Sequence, residues 1–261
     1  MTLTASLPNS VPAITGRVTI SRVTLGRTLF VLVFRLVAFV AVQALIAAVF
    51  AARGAADPWD LSIGWWPLVA VIVSGLTAGL LVWAARREGL RPLDLLSARR
   101  ETWRGDLLGL LVVSLLSGPI AFFPMQWLSS ALFGDPQAAS AMMFRGLPGF
   151  WGPFLFIAFP LAVALTELPA YFGYCMPRLE ALTGKAWLAV ALPAFFLAAQ
   201  HSALPLIFDW RFIAWRFLMF LPFALLMALA LRLRPTLLPY LMVGHFLIDL
   251  SSAYFFLVLS Q

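Results

Sequence analysis

Charge is scarce in this sequence. Asp, Glu, Lys and Arg make up 11% of its 261 residues, against roughly 25% in a soluble domain, which excludes a globule solvated on all sides. Cys175 is the only cysteine, so neither an intrachain disulfide nor a thiolate metal cluster can form within one chain. Histidine is limited to two residues. No internal repeat, low-complexity tract or soluble domain is visible. Residues 1–27 carry Arg17, Arg22 and Arg27 among Ser, Thr and Pro. They lack the short apolar core and cleavage site of a secretory signal and read as a cytoplasmic N-terminal tail, with the first apolar block retained.

What the sequence holds in excess is apolar surface: 62% hydrophobic residues and a mean hydropathy of +0.96. The apolar residues come in blocks long enough to cross a hydrocarbon layer of about 30 Å, which takes about 20 helical residues. Seven spans are predicted at about residues 30–52, 64–85, 107–129, 151–176, 186–204, 213–231 and 237–258,. The expected fold is an all-α polytopic membrane protein, with 28–259 forming one transmembrane helical domain. Pro119 and Pro124 in span three, and the Gly- and Pro-containing stretch Gly134 to Gly149, predict a kink or a short re-entrant piece that would raise the count to eight,.

Basic residues set the expected orientation. With the N-terminus inside, cytoplasmic segments hold Arg17, Arg22, Arg27, Arg86, Arg87, Arg91, Arg99, Arg100, Arg104, Arg178, Lys185, Arg232 and Arg234, most of the 18 basic residues. Opposite loops hold Arg53, Arg145 and Arg211, and Arg35 and Arg216 are expected to snorkel from span ends,. This predicts an integral protein of a bacterial-type inner membrane. The net charge of +7 follows the side-of-membrane rule and forms no single basic face, so nucleic acid is not an expected partner; the bilayer is, with the Arg86–Arg104 cluster meeting anionic headgroups.

Of the eleven acidic residues, nine fall in loops or at span ends, leaving Glu167 and Asp249 well inside spans together with both histidines, His201 and His245. An ionisable group at that depth costs about 2.5 kcal/mol or more to insert, which makes these four the candidate functional site. His245 and Asp249 stand at i and i+4 and share a helix face, as Glu167 and Tyr171 would in span four, with Tyr174 a further turn along. His201 computes deeper than Glu167 and His245 by more than a turn. Gln43 and Gln200 read as interhelical hydrogen bonders.

The segment Glu167 to Glu180, Glu-Leu-Pro-Ala-Tyr-Phe-Gly-Tyr-Cys-Met-Pro-Arg-Leu-Glu, resembles motif one of the CAAX-protease and bacteriocin-processing (CPBP) family of intramembrane proteases, Glu-Glu-x-x-x-Arg-Gly followed by Pro-Arg-Leu. Leu197 to His201 is similar to its Phe-x-x-x-His motif and His245 to Asp249 to its His-x-x-x-Asn/Asp motif. The resemblance covers about residues 150–255. Leu168, Phe172 and Leu197 depart from it. The first two changes go together, since positions i and i+4 could carry a Glu–Arg pair and an apolar pair strands no charge.

The resemblance implies an intramembrane endopeptidase. Glu167 and His201 would activate water, and His245 and Asp249 would bind a metal, zinc first, or stabilise the oxyanion. Tyr171, Tyr174 and Arg178 would support them, and a peptide or membrane-protein substrate would reach the site from the lipid or the cytoplasmic side. Two other classes stay open: a non-proteolytic scaffold or chaperone whose polar cluster holds helices together, and a proton- or metal-coupled transporter, although no inverted repeat supports transport.

Overall fold

The computed structural model of the protein describes residues 22–96 and 100–259. Most of the predicted tail, with Arg17, and Arg99 lie outside the described residues. In chain order the elements are α1 (Leu25–Ala52), α2 (Pro58–Ile63), α3 (Trp66–Arg87), α4 (Trp103–Phe133), α5 (Ala138–Ala141), α6 (Trp151–Ala164), a π-helical segment (Pro169–Cys175), α7 (Met176–Thr183), α8 (Ala186–Ser202), α9 (Trp210–Leu233) and α10 (Leu238–Leu259). Six stretches are long and apolar enough to cross a membrane: α1, α3, α4, Trp151–Thr183, α9 and Pro235–Tyr254, while α8 is a shorter apolar helix. The protein is an all-α polytopic bundle of the integral membrane class.

Local chemistry places the ends. α1 starts inside the predicted tail because the Thr24 hydroxyl accepts the Arg27 N–H at 3.4 Å and caps it,. α4 passes through Pro119 and Pro124 as one helix and stops where Gly134 takes φ 79°,. Only the four-residue α5 lies between α4 and α6, so no further crossing segment forms there among the described residues. Span four continues past its predicted end at 176 to Thr183, where Gly184 (φ 65°) turns the chain into α8,.

Inside span four the segment between Leu168 and Met176 is π-helical, bounded by Pro169 and Pro177, whose missing N–H groups interrupt the α ladder,. A methyl group added at Gly173 would stand 3.1 Å from the Leu95 carbonyl oxygen, so a neighbouring backbone presses against the π turn. Glu167 and Tyr171, expected to share a face, both bond to Gln200, and Leu168 and Phe172 are both buried in one apolar cluster.

The core has two apolar halves with a polar stratum between them. On α1, Val31 and Leu32 belong to one half and Phe39 and Val42 to the other, with Arg35 between. The same order holds for Leu81, Thr77, Ser74 and Val73 on α3, for Val163, Thr166, Glu167 and Leu168 in span four, for Leu197, Gln200 and Ala203 in α8 and its cap, and for Leu241, His245, Asp249 and Ala253 on α10. Without a hydrophobic drive between helices in lipid, close packing and interhelical hydrogen bonds hold such a bundle. The depth mismatch of His201 disappears here. The separation from Glu167 to Thr183 nearly equals that from Ala186 to His201, so the α7–α8 hairpin brings both to one level.

Candidate functional site

Glu167 is 4% exposed, and its two carboxylate oxygens have different tasks. Oε2 accepts from Gln200 Nε2 at 2.5 Å and from Arg35 Nη2 at 3.4 Å. Gln200 Oε1 in turn accepts from Arg35 Nε at 2.7 Å and from the Tyr171 hydroxyl at 3.1 Å. The Gln200 amide is thereby satisfied on both sides and its orientation fixed. Arg35 Nη1 completes the fan with longer bonds to the hydroxyls of Thr166 (3.3 Å), Thr77 (3.4 Å) and Ser74 (3.5 Å). Four membrane segments are tied together through one guanidinium.

Oε1 of Glu167 faces His245, whose Nε2 lies 3.5 Å from it and 3.3 Å from Asp249 Oδ2. The histidine thus stands between two carboxylates. His245 Nδ1 and Asp249 Oδ2 are enclosed and form no hydrogen bond among the described residues. They are the polar atoms left available to a ligand.

His201 takes a different posture. Its Nδ1 lies 2.7 Å from the Leu197 carbonyl oxygen, so Nδ1 carries the proton and Nε2 keeps its lone pair,. The ring stacks on Phe220 at 3.6 Å between centroids. Glu167, His201, His245 and Asp249 all line one cavity of about 550 Å³. Most of its remaining wall is apolar, including Leu110, Met125, Phe159, Phe223 and Met227, interrupted by Arg216 and by Ser114, Ser117, Ser140 and Ser252.

Several expectations need correcting. Arg35 does not snorkel: it is fully buried and is the counter-charge of Glu167. Arg216 does not snorkel either. It is 6% exposed and gives Nε to the His201 carbonyl (3.2 Å) and Nη2 to the Leu204 carbonyl (2.8 Å). Tyr171 reaches the site only through Gln200, and Tyr174 and Arg178 are not in the cavity lining. They serve a second buried centre. Glu88 Oε2 accepts from Arg178 Nε and Nη2 at 2.9 and 2.5 Å, and its Oε1 from Tyr174 at 2.7 Å and Arg27 at 3.3 Å. Gln43 is the interhelical hydrogen bonder expected, joining α1 to Ser62 on α2, and it also fastens the loop through both backbone groups of Leu206.

Comparison with known protein families, curated proteins and solved structures gave no match. The site therefore stands on its own geometry. For the zinc that the resemblance implies, no group of three His, Cys, Asp or Glu side chains placed to hold a metal occurs among the described residues. His201 keeps to its stacking partner, while His245 touches both Glu167 and Asp249. Sequence reasoning missed Arg35 and Gln200 as site residues. The available signal was Gln200 directly before His201 and Arg35 standing amid an uninterrupted apolar run.

Proposed function

We propose that the protein is an intramembrane endopeptidase of the type its three motifs resemble, acting on a peptide or membrane-protein segment. The observation that carries this reading is the division of labour on Glu167: one oxygen is anchored by Gln200 and Arg35 and the other is turned to the cavity beside His245.

A general base needs a fixed orientation and one lone pair aimed at the reacting water. Glu167 Oε1 takes the water proton as the oxygen attacks the scissile carbonyl, and later returns it to the leaving amine. With its ring doubly protonated, His245 keeps Nε2–H between the two carboxylates and offers the unbonded Nδ1–H to the developing oxyanion, a donor set in advance in a water-poor site,. His201, with Nδ1 tied to the Leu197 carbonyl, offers Nε2 as a second acceptor for the water,. The apolar walls exclude bulk water and accept apolar side chains of the substrate.

Orientation belongs to the same proposal. Contacts of Arg27 and Arg178 with Glu88, of Arg232 with Glu180 and of Arg234 with Asp106 gather the basic residues at one end of the bundle, and the positive-inside rule makes that end cytoplasmic.

The test is hydrolysis of a peptide library by the purified chain and by Glu167→Gln, which keeps volume and hydrogen bonding but not basicity. The expected loss is at least about 100-fold per folded molecule, the scale of general-base catalysis; because the variant also leaves the buried Arg35 charge unpaired,, the folded fraction of each protein is measured alongside and the rates are normalised to it. Hydrolysis by neither protein would favour a second reading, a scaffold in which the Arg35–Glu167–Gln200 network fastens helices.

A further inference from the structure

Buried charge in this bundle is paired. Arg35 meets Glu167, Arg178 meets Glu88, and Asp106 meets Arg234. Arg216 is the exception among the buried arginines: it makes no ion pair among the described residues. Two backbone carbonyls at the end of α8 hold its Nε and Nη2, and the guanidinium lies 5.0 Å over the Phe220 ring. Nη1 makes no hydrogen bond among the described residues and is not among the fully enclosed polar atoms. Arg216 also lines the 550 Å³ cavity. It sits on α9 between Trp215 and Met219, both in the apolar half that also holds Ala203 and Phe39, and so away from the polar stratum toward the α9 N-terminus.

Glu167 acts on this guanidinium only from beyond ion-pair distance and is itself paired with Arg35; an oriented guanidinium with no carboxylate in contact among the described residues is a receptor for an anion, because burying a charge without a close partner is costly. The rest of the cavity says what the anion is attached to. Its lining is dominated by Leu, Met and Phe, which suits an alkyl chain. The mouth reaches the lipid-facing surface, since Leu247 and Ile248 line the cavity and are also 57% and 50% exposed on α10. The opposite lip is α4, whose crossing window is only 11% buried.

We infer that Arg216 binds the phosphate or carboxylate head of a single-chain amphiphile that enters from the bilayer and lays its chain in the cavity beside Glu167 and His245. The inference concerns binding alone and does not depend on hydrolysis.

The full chain, purified in neutral detergent, is titrated with oleoyl lysophosphatidate, oleate, oleoyl lysophosphatidylcholine and inorganic phosphate. The two anionic amphiphiles should bind at least about tenfold more tightly than the zwitterionic one, the worth of one charge-assisted pair. Arg216→Gln should abolish that preference, and Arg216→Lys should keep part of it. Equal binding of anionic and zwitterionic lipids by the unaltered protein overturns the inference without recourse to any variant. So does a preference that survives in Arg216→Gln. Binding of inorganic phosphate as tight as that of lysophosphatidate would reduce the site to an anion pocket and overturn the amphiphile. A short apolar peptide that binds only with a free C-terminal carboxylate, where the lipids fail, would assign Arg216 to a peptide terminus instead.

Discussion

Arg35 and Glu167 have side chains 1% and 5% exposed, so removal of either leaves a charge with no water to solvate it. Arg35→Gln should therefore destabilise the protein by about 3–5 kcal/mol, the usual cost of breaking a buried pair from one side. Adding Glu167→Gln to it replaces the pair with two amides that can still bond Gln200. The double variant should lose less than the sum of the singles by about 0.5–3 kcal/mol, read from thermal midpoints and yield in detergent. Strictly additive losses would show that the 3.4 Å contact carries no coupling. The same residues explain why Glu167 could be singled out early while its partners were not. An acid at membrane depth is conspicuous in any sequence, but an arginine there has two fates, reaching out to headgroups or pairing inward. Which one it follows depends on the neighbouring helix.

At the scale of elements, α2 and the chain before α6 are fastened outside the spans by Asp60 and Arg145, which meet in two contacts, Nη1–Oδ2 at 2.7 Å and Nη2–Oδ1 at 2.8 Å. Hydrogen bonding from Arg145 holds the Asp60 carboxyl below the usual carboxylate range, against a smaller opposing effect of burial. A carboxyl whose folded-state value is lowered contributes stability above its unfolded value and loses it as pH falls through the folded one. Asp60→Asn should thus cost a little at neutral pH, about 0.2–1 kcal/mol for a half-exposed pair. The difference from the unaltered protein should close below the ordinary carboxylate range. Thermal midpoints of both proteins across neutral to acid pH decide it; a gap independent of pH would mean that the ion pair is not its source. The π turn of span four belongs to this scale as well. Pro169, Gly173 and Pro177 are legible as helix punctuation, but that they yield a π segment and not a break, with Leu95 and Leu238 close against Gly173, is visible only in the folded chain.

For the whole molecule, the gathering of basic side chains at one end gives a topology that can be measured. Cys175 is the only cysteine and is buried, so a single added thiol reports without background. Arg87→Cys should resist a membrane-impermeant maleimide in intact cells and react after permeabilisation. Arg53→Cys, at the opposite end of the bundle, should react in both. The reverse pattern would invert the orientation and move the proposed cytoplasmic end outside. Longer-range order is also visible at this scale. Residues from α1, α3, span four, α8 and α10 meet in one polar stratum, with apolar clusters above and below it.

The approximate limits of most spans and the concentration of Glu167, His201, His245 and Asp249 at membrane depth are set by the sequence; of the seven predicted spans, six are long enough to cross and the one at 186–204 is a shorter apolar helix. Span length, charge placement and the cost of burying a polar group act locally along the chain. Tertiary structure alone decides what those groups face. It brings Arg35 from α1 to Glu167, turns Gln200 into the link between them, sends Tyr174 and Arg178 to Glu88, and leaves Arg216 on the cavity wall with carbonyls for company. The physical reason is that a helix fixes which residues share its own face, but the rotation and level at which it meets its neighbours come from packing across the bundle.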